Sequence, residues 1–198
     1  MKQKDKKISQ KIIFLLFSTF FLVGLFTFKD YGISVDEEFH RSSGFYWLNY
    51  ILSFTSLEEL KNLVDIKINQ IKGFTLPKPS DNPYYGVVFD LPVALLEVIL
   101  KIDDPKNYFQ FRHLINFILF FIGSIFFFKL LLNRFSNYFI AIVGTLFFVL
   151  SPRIYGSSFF NNKDIVFLSL TVIALYYCFK SLEKLSYKNL FIFALFAA

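Results

Sequence analysis

The stretch LINFILFFIGSIFFFKLLL, residues 114–132, decides the class of fold to which this chain belongs. Lys129 is the single charged residue in it, and nearly all of the other side chains are apolar. A helix needs about 20 predominantly apolar residues to cross the hydrocarbon core of a bilayer. We therefore predict that residues 114–132 form a membrane-spanning helix.

Further apolar stretches predict more spans, at residues 12–28, 138–150 and 165–179. The first follows a basic head, MKQKDKK. A signal peptide would have a shorter apolar region and a cleavage site, so we predict a retained anchor. A fifth apolar block, residues 189–198, has about half the length that a span needs, and we expect the chain to be truncated. The predicted fold is all-α, a polytopic transmembrane helical bundle within one domain, residues 1–198.

Composition favours a membrane protein over other classes. Of the 198 residues, 55% are hydrophobic and 21% aromatic, and we interpret the Phe runs as lipid-facing packing. The net charge is +6, but the basic residues cluster at the ends of apolar blocks, which favours membrane orientation over nucleic-acid binding. The single cysteine, Cys178, excludes an intramolecular disulfide and a Cys-based metal site. Motifs of P-loop nucleotide binding, serine hydrolases, zinc proteases and EF-hands do not occur.

A long polar segment, residues 29–112, separates the first two predicted spans. We predict that it is an outer loop with two surface helices and a Pro-rich turn, PKPSDNPYYG, at residues 77–86. Within it, VVFDLPVALLEVILKI, residues 87–102, contains Asp90, Pro92 and Glu97. It is too polar for a full span, so an interfacial or re-entrant helix is predicted.

The distribution of Lys and Arg predicts the orientation in the membrane. With a cytoplasmic N-terminus, and the long loop left out, ten of these residues lie inside and only Arg153 and Lys163 lie outside. The long loop and SPRIYGSSFFNNKD, residues 151–164, would then face the non-cytoplasmic side. We expect an integral protein of the bacterial inner (plasma) membrane with a cytoplasmic N-terminus.

An acidic cluster follows the first span, in GISVDEEFHRSSGFYW, residues 32–47. Ser34 and Glu37 have the spacing of a capping box, in which Ser34 is the N-cap and Glu37 reaches back to the backbone. Glu37 and Arg41 have the favourable i,i+4 order for an ion pair. A purely structural role for Glu37 therefore stays open.

Asp36 has a different predicted environment. At 100° per residue it falls roughly 40° from the centre of an apolar stripe, whereas Glu37 points away from that stripe. A partly desolvated carboxylate gains basicity, so Asp36 is a candidate general base. His40, one turn on, either orients Asp36, contacts a ligand or is structural. The aromatic residues of the stripe predict a helix along the membrane interface. The stripe comprises Val35, Phe39, Tyr46, Trp47, Tyr50 and Phe54.

A second set of polar residues lies at the outer ends of the other predicted spans. Asp164 follows two asparagines, so helix capping explains it as well as function does. Arg112, Arg153 and Lys163 are explained either by snorkelling or by a site. Together, cations that bind phosphate oxygens and carboxylates that abstract a proton suit an anionic lipid headgroup.

These features resemble a known group of membrane enzymes. The first span, the long outer loop and an interfacial helix are similar to the N-terminus of GT-C superfamily glycosyltransferases, most closely family 39 and the RgtA/B/C/D-like group. The matching segments are VDEEFHR (35–41), NPYYGVVFDLP (82–92), FRHLINFILF (111–120) and SPRIYGSSFFNNKDIVF (151–167).

The resemblance implies transfer of a sugar from a polyprenyl-phosphate donor to an acceptor glycan, lipid or protein. Asp36 corresponds to the catalytic base and Glu37 to its paired neighbour, while Asp164 would hold the acceptor or a cation. Arg112, Arg153 and Lys163 are candidates for the donor phosphate. No cofactor requirement is visible in the sequence, and a divalent metal stays open. Enzymes of this group have many more spans, so the chain corresponds to their N-terminal portion.

A non-catalytic membrane protein, an assembly subunit or part of a transporter, is the alternative hypothesis. Its charges would cap helices and anchor interfaces. Transporters tend to carry charge near mid-membrane, and the central spans here are nearly free of it, which disfavours that version of the alternative.

Overall fold

A computed structural model of the chain describes residues 3–71 and 86–197, with side chains from residue 10 onward in the first helix. Throughout these ranges the fold is all-α, as predicted. Most of the predicted Pro-rich turn, residues 77–86, lies outside them. The helices are α1 (Gln3–Thr27), α2 (Glu37–Leu52), α3 (Glu58–Gln70), α4 (Asp90–Ile99), α5 (Pro105–Phe135), α6 (Tyr138–Leu150), α7 (Pro152–Phe160), α8 (Asp164–Glu183) and α9 (Tyr187–Ala197).

In the part of the chain that the structure describes, three segments are long and apolar enough to cross a membrane: Gln10–Thr27 of α1, Pro105–Phe135 and Asp164–Glu183. They agree with three of the predicted spans and support an integral membrane protein. The helix α5 begins nine residues before the predicted span because Pro105 suits a first helical position and Asp104 accepts a hydrogen bond from Asn107 N–H at 3.1 Å. Its 31 residues give a length of about 46 Å, more than the roughly 30 Å of a bilayer core.

The third predicted span has the expected bounds, but a second helix follows it where a loop was predicted. Asn137 caps α6 by accepting hydrogen bonds from two backbone N–H groups. The following segment, predicted as a loop, instead begins with α7, which bends from α6 by 60°. Pro152 therefore ends one helix and starts another, since proline is well suited to a first helical position. By length and composition, α6 and α7 together form a broken span or a re-entrant loop.

The chain divides into two compact units. Residues 1–31 and 116–198 form the membrane unit, and residues 32–115 form the loop unit. The single domain predicted for residues 1–198 stays a prediction.

Aromatic rings form the core of the membrane unit. The rings of Phe117 and Phe159 stack with centroids 5.2 Å apart, and Tyr31 stacks on Phe159 at 4.2 Å. Burial, then the neighbouring Tyr155 phenol and the carboxylate of Asp30, raise the pKa of Tyr31 above its ordinary value. The interpretation of the Phe runs as lipid-facing is therefore correct only in part. The buried core comprises Phe20, Phe117, Phe120, Val149, Phe159 and Ile165, whereas Phe14, Phe26 and Phe147 are exposed.

In the loop unit, α2 packs against α3 and α4. The apolar part of this core comprises Phe45, Leu48, Leu52, Val64, Ala94 and Val98. At Gly44 the two backbones approach closely, because a Cβ atom there would lie 2.5 Å from the carbonyl oxygen of Asp90. Only glycine permits this approach, and it brings the start of α4 against the middle of α2.

Gly44→Ala is therefore expected to destabilise the protein by about 1–3 kcal/mol, since the clash is with backbone and no side chain can rotate to relieve it. Gly156→Ala in α7 is the matched control, because its Cβ would lie 3.9 Å from the Tyr31 ring, an ordinary contact. The control should be neutral or stabilising by up to about 1 kcal/mol. Thermal unfolding of purified variants in detergent measures both effects. Equal melting temperatures would contradict the close approach of α2 and α4.

Candidate functional site

The first turn of α2 places Asp36 and Glu37 in opposite environments. Asp36 is the N-cap residue and is exposed, and its side chain makes no capping hydrogen bond. Glu37 is only 2% exposed, and its Oε2 accepts the Ser34 N–H at 2.6 Å. The backward reach of Glu37 is thus confirmed. The prediction that Ser34 is the N-cap is wrong, because a turn over residues 34–37 precedes the helix.

The expectation that Asp36 faces the core and Glu37 faces away from it is also wrong. The helical period of the apolar stripe was correct, but the stripe is not the buried side of the helix. Val35 and Phe54 are exposed, while Glu37, His40 and Arg41 are buried. The loop unit can bury these charged groups because oppositely charged partners on other helices compensate them.

Glu37 pairs with a histidine of α5. Its Oε1 lies 2.8 Å from Nε2 of His113, and both side chains are 2% exposed. Each carboxylate oxygen of Glu37 therefore has a defined partner, Ser34 N–H on one side and His113 on the other. The predicted Glu37–Arg41 pair is replaced by these contacts.

His40 faces α4 rather than Asp36. Its Nδ1 lies 3.4 Å from Oδ2 of Asp90, and Oδ1 of Asp90 accepts a hydrogen bond from Nη2 of Arg112. The close approach at Gly44 positions Asp90 between these two groups. The backbone N–H of His40 donates to the carbonyl oxygen of Asp36 at 3.0 Å, and the orienting of the Asp36 carboxylate by the imidazole stays a prediction.

Arg41 binds Glu97 through two hydrogen bonds, Nε to Oε2 at 3.1 Å and Nη2 to Oε1 at 2.6 Å. Its guanidinium also lies 3.6 Å from the ring centroid of Tyr108 in α5. Lys67 of α3 lies 3.9 Å from the same Oε1 of Glu97 and pairs with Asp103 at 2.7 Å. Four helices are thus connected through one arginine and one glutamate.

We call these eight side chains the buried charged cluster: Glu37, His40, Arg41, Lys67, Asp90, Glu97, Arg112 and His113. It contains three carboxylates and three Lys or Arg cations, so its formal charges balance when both histidines are neutral. Asp90 and Glu97 were predicted only to make their helix too polar for a span. Their i,i+7 spacing places both on one face of α4, and this spacing is the local signal in the sequence that both carboxylates lie on the same side of the helix.

Arg112 is the member of the cluster with incomplete hydrogen bonding. It is 1% exposed, and among residues 3–71 and 86–197 no atom accepts a hydrogen bond from its Nε or Nη1. A buried polar group without a partner costs about 1–3 kcal/mol, more when charged, and such groups are rare in proteins. Oxygen atoms of an anion or of ordered water would satisfy both donors.

The other predicted site residues belong to the membrane unit, and all are exposed: Arg153, Lys163 and Asp164. Asp164 is the first residue of α8, whose N-cap residue, Lys163, makes no side-chain capping hydrogen bond, while Asn161 Oδ1 accepts the backbone N–H of Asp164 at 2.9 Å. Asn161 also donates to the Asp164 carboxylate at 3.0 Å. Within residues 3–71 and 86–197, no group of three or more His, Cys, Asp or Glu side chains is placed to hold a metal ion.

Comparison with known proteins identifies no relative: no protein-family model, no curated protein and no solved structure matches the chain.

Glu97→Ala is expected to destabilise the protein by about 3–5 kcal/mol, because Arg41 and Lys67 would stay buried without this carboxylate. Glu38→Ala is the matched control, since Glu38 lies 3.7 Å from the same arginine but is 32% exposed. Removing this half-exposed partner should cost less than about 1 kcal/mol. Chemical unfolding of both variants in detergent measures the difference. Similar losses would contradict a dominant role for the buried pair.

Proposed function

We propose that this protein is part of a membrane glycosyltransferase that moves a sugar from a polyprenyl-phosphate donor to an acceptor at the non-cytoplasmic face. The observation that carries the proposal is Arg112, a buried guanidinium with two N–H donors that have no partner in the part of the chain that the structure describes. An anionic oxygen is the acceptor that best satisfies such donors, because a hydrogen bond from a guanidinium to an anion is charge-assisted on both sides.

In this proposal Arg112 holds the phosphate of the donor. Asp90 neutralises one edge of the guanidinium, and Nε and Nη1 stay available for phosphate oxygens. Arg153, Lys163 and Asp164 belong to the membrane unit, and their predicted roles in binding the donor phosphate and the acceptor stay predictions. Since Arg112 is buried, binding requires side chains around it to move apart.

Asp36 serves as the general base. Its carboxylate is exposed and makes no capping hydrogen bond, so it is accessible to an acceptor hydroxyl or amine. The proton of the acceptor passes to Asp36, and the acceptor atom forms a bond to the anomeric carbon of the sugar. The bond from that carbon to the phosphate oxygen breaks, and polyprenyl phosphate leaves with the electron pair. Arg112 stabilises the charge that develops on the leaving phosphate.

Glu37 acts as a positioning residue. Its two carboxylate oxygens contact Ser34 N–H and His113, which fixes the backbone on both sides of Asp36. His40 supports Asp90 in the same indirect way.

The alternative is a non-catalytic membrane protein in which these charges serve folding alone. The balanced charge of the buried charged cluster favours it, as do the hydrogen bonds that Asn161 makes to Asp164 at the start of α8. The two experiments that follow separate this alternative from the enzyme.

Asp36→Asn in the complete protein is expected to reduce sugar transfer at least about 100-fold, the range of a lost general base, while insertion and folding persist. The measurement is transfer of labelled sugar from polyprenyl phosphate in proteoliposomes. Asp30→Asn, at another exposed acid of the same connection, serves as the control and should retain activity. Undiminished transfer by the Asp36 variant would remove Asp36 as the base.

Arg112→Lys keeps the charge beside Asp90 but removes the planar donors. Affinity for polyprenyl phosphate is expected to fall about 10- to 100-fold, as for a lost hydrogen bond to a charged group. Binding of the uncharged polyprenol should not change. Arg134→Lys, at the exposed end of α5, is the matched control. If the Arg112 variant bound polyprenyl phosphate normally, ordered water would be the better explanation of the unpartnered donors, and the non-catalytic alternative would gain support.

A further inference from the structure

The character of α2 changes along its length. Residues 40–45 are buried on all sides, and they include two members of the buried charged cluster. In the second half of the helix, Leu48 and Leu52 alone are buried. The opposite side of this half presents aromatic residues instead of charged ones. We call it the aromatic face: Tyr46, Trp47, Tyr50 and Phe54 just beyond the helix end.

The rings of the aromatic face form a continuous surface. Trp47 and Tyr50 meet edge to face with centroids 5.9 Å apart, and Tyr50 and Phe54 do so at 5.1 Å. Tyr50 is 44% exposed and Phe54 74% exposed. Exposed Ile51 and Leu57 adjoin these residues along the chain. Contiguous exposed apolar area of this kind marks a surface that binds a partner.

We propose that the aromatic face binds the lipid surface of the membrane, at the boundary between headgroups and acyl chains. Tyr and Trp are the residues that favour this depth, because each has an apolar ring and a polar group that stays hydrated. Phe54 supplies the deeper apolar contact.

Chain connectivity identifies lipid as the partner. Only residues 28–36 separate α2 from α1, which contains a candidate span. The loop unit also contains the start of α5, which continues into another candidate span. The chain therefore enters and leaves this unit through helices that are candidate spans, and the short connection to α1 tethers α2 to one of them.

Charge defines the type of lipid binding. Residues 42–60 contain no Lys or Arg, so the aromatic face itself carries no cation for an anionic headgroup. Burial of apolar rings is then the driving force, and binding does not require anionic lipid. Zwitterionic phosphatidylcholine alone should suffice.

The chain has a single tryptophan, Trp47, so its own fluorescence reports on this face. The protein is reconstituted into phosphatidylcholine nanodiscs that contain lipids brominated at defined depths, one copy to a disc. Bromines near the headgroup are expected to quench Trp47 more strongly than bromines at the chain ends, and aqueous acrylamide should quench weakly. Addition of anionic lipid should leave this pattern unchanged.

Phe54→Glu should weaken quenching of Trp47 by brominated lipid at least about twofold, because a carboxylate opposes burial of the adjoining rings. The matched control is Asn62→Glu, on an exposed position of α3, which should leave quenching unchanged. Circular dichroism verifies the helical content of both variants.

Two results would overturn the proposal. Strong acrylamide quenching without bromine quenching would show that the aromatic face is in water. Protection from both quenchers in discs with one copy would show that another part of the protein covers it. Neither result depends on sugar transfer, so this test is independent of the proposed enzymatic activity.

Discussion

Burial of charge is the constraint on which the loop unit depends. Arg41 and Glu97 contact each other without access to water, and the favourable free energy of that contact depends on both partners being present. The same applies to Asp90 with Arg112, and His113 is a buried partner of the Glu37 carboxylate. These pairs join α2 to α4 and to the start of α5. A compact arrangement of three helices thus follows from the need to neutralise each buried charge.

Periodicity and length were sufficient to predict the helices that lie in apolar sequence. They predicted the all-α class, the bounds of α6 and three candidate spans, because a bilayer imposes a length and a composition that one sequence can show. They could not predict the direction of α2. The buried side of that helix carries ion pairs, and its exposed side carries aromatic rings. A rule that buries the apolar side therefore predicts a buried Asp36 and an exposed Glu37, the opposite of what the structure shows.

The candidate site was predictable in its residue types and less so in its partners. Arg112, Glu37 and His40 were identified from the sequence, but the residues that contact them are up to 76 positions away and come from α4 and α5. Asp90 and Glu97 are such partners, and an i,i+7 spacing within an apolar helix is the local signal that they leave. A phenylalanine carries no comparable signal, so burial of Phe20 and exposure of Phe26 depend on which neighbouring helix packs there.

The two contacts of Glu37 have a consequence for the residue before it. Because Ser34 N–H and His113 hold Glu37 on both carboxylate oxygens, the backbone that carries Asp36 has little conformational freedom. The Asp36 carboxylate then has only its own side-chain torsions to sample. An exposed group on a fixed backbone loses less conformational entropy when it meets a partner than the same group on a flexible loop. The buried Glu37 thus limits the conformational entropy that Asp36 loses when its carboxylate contacts a partner.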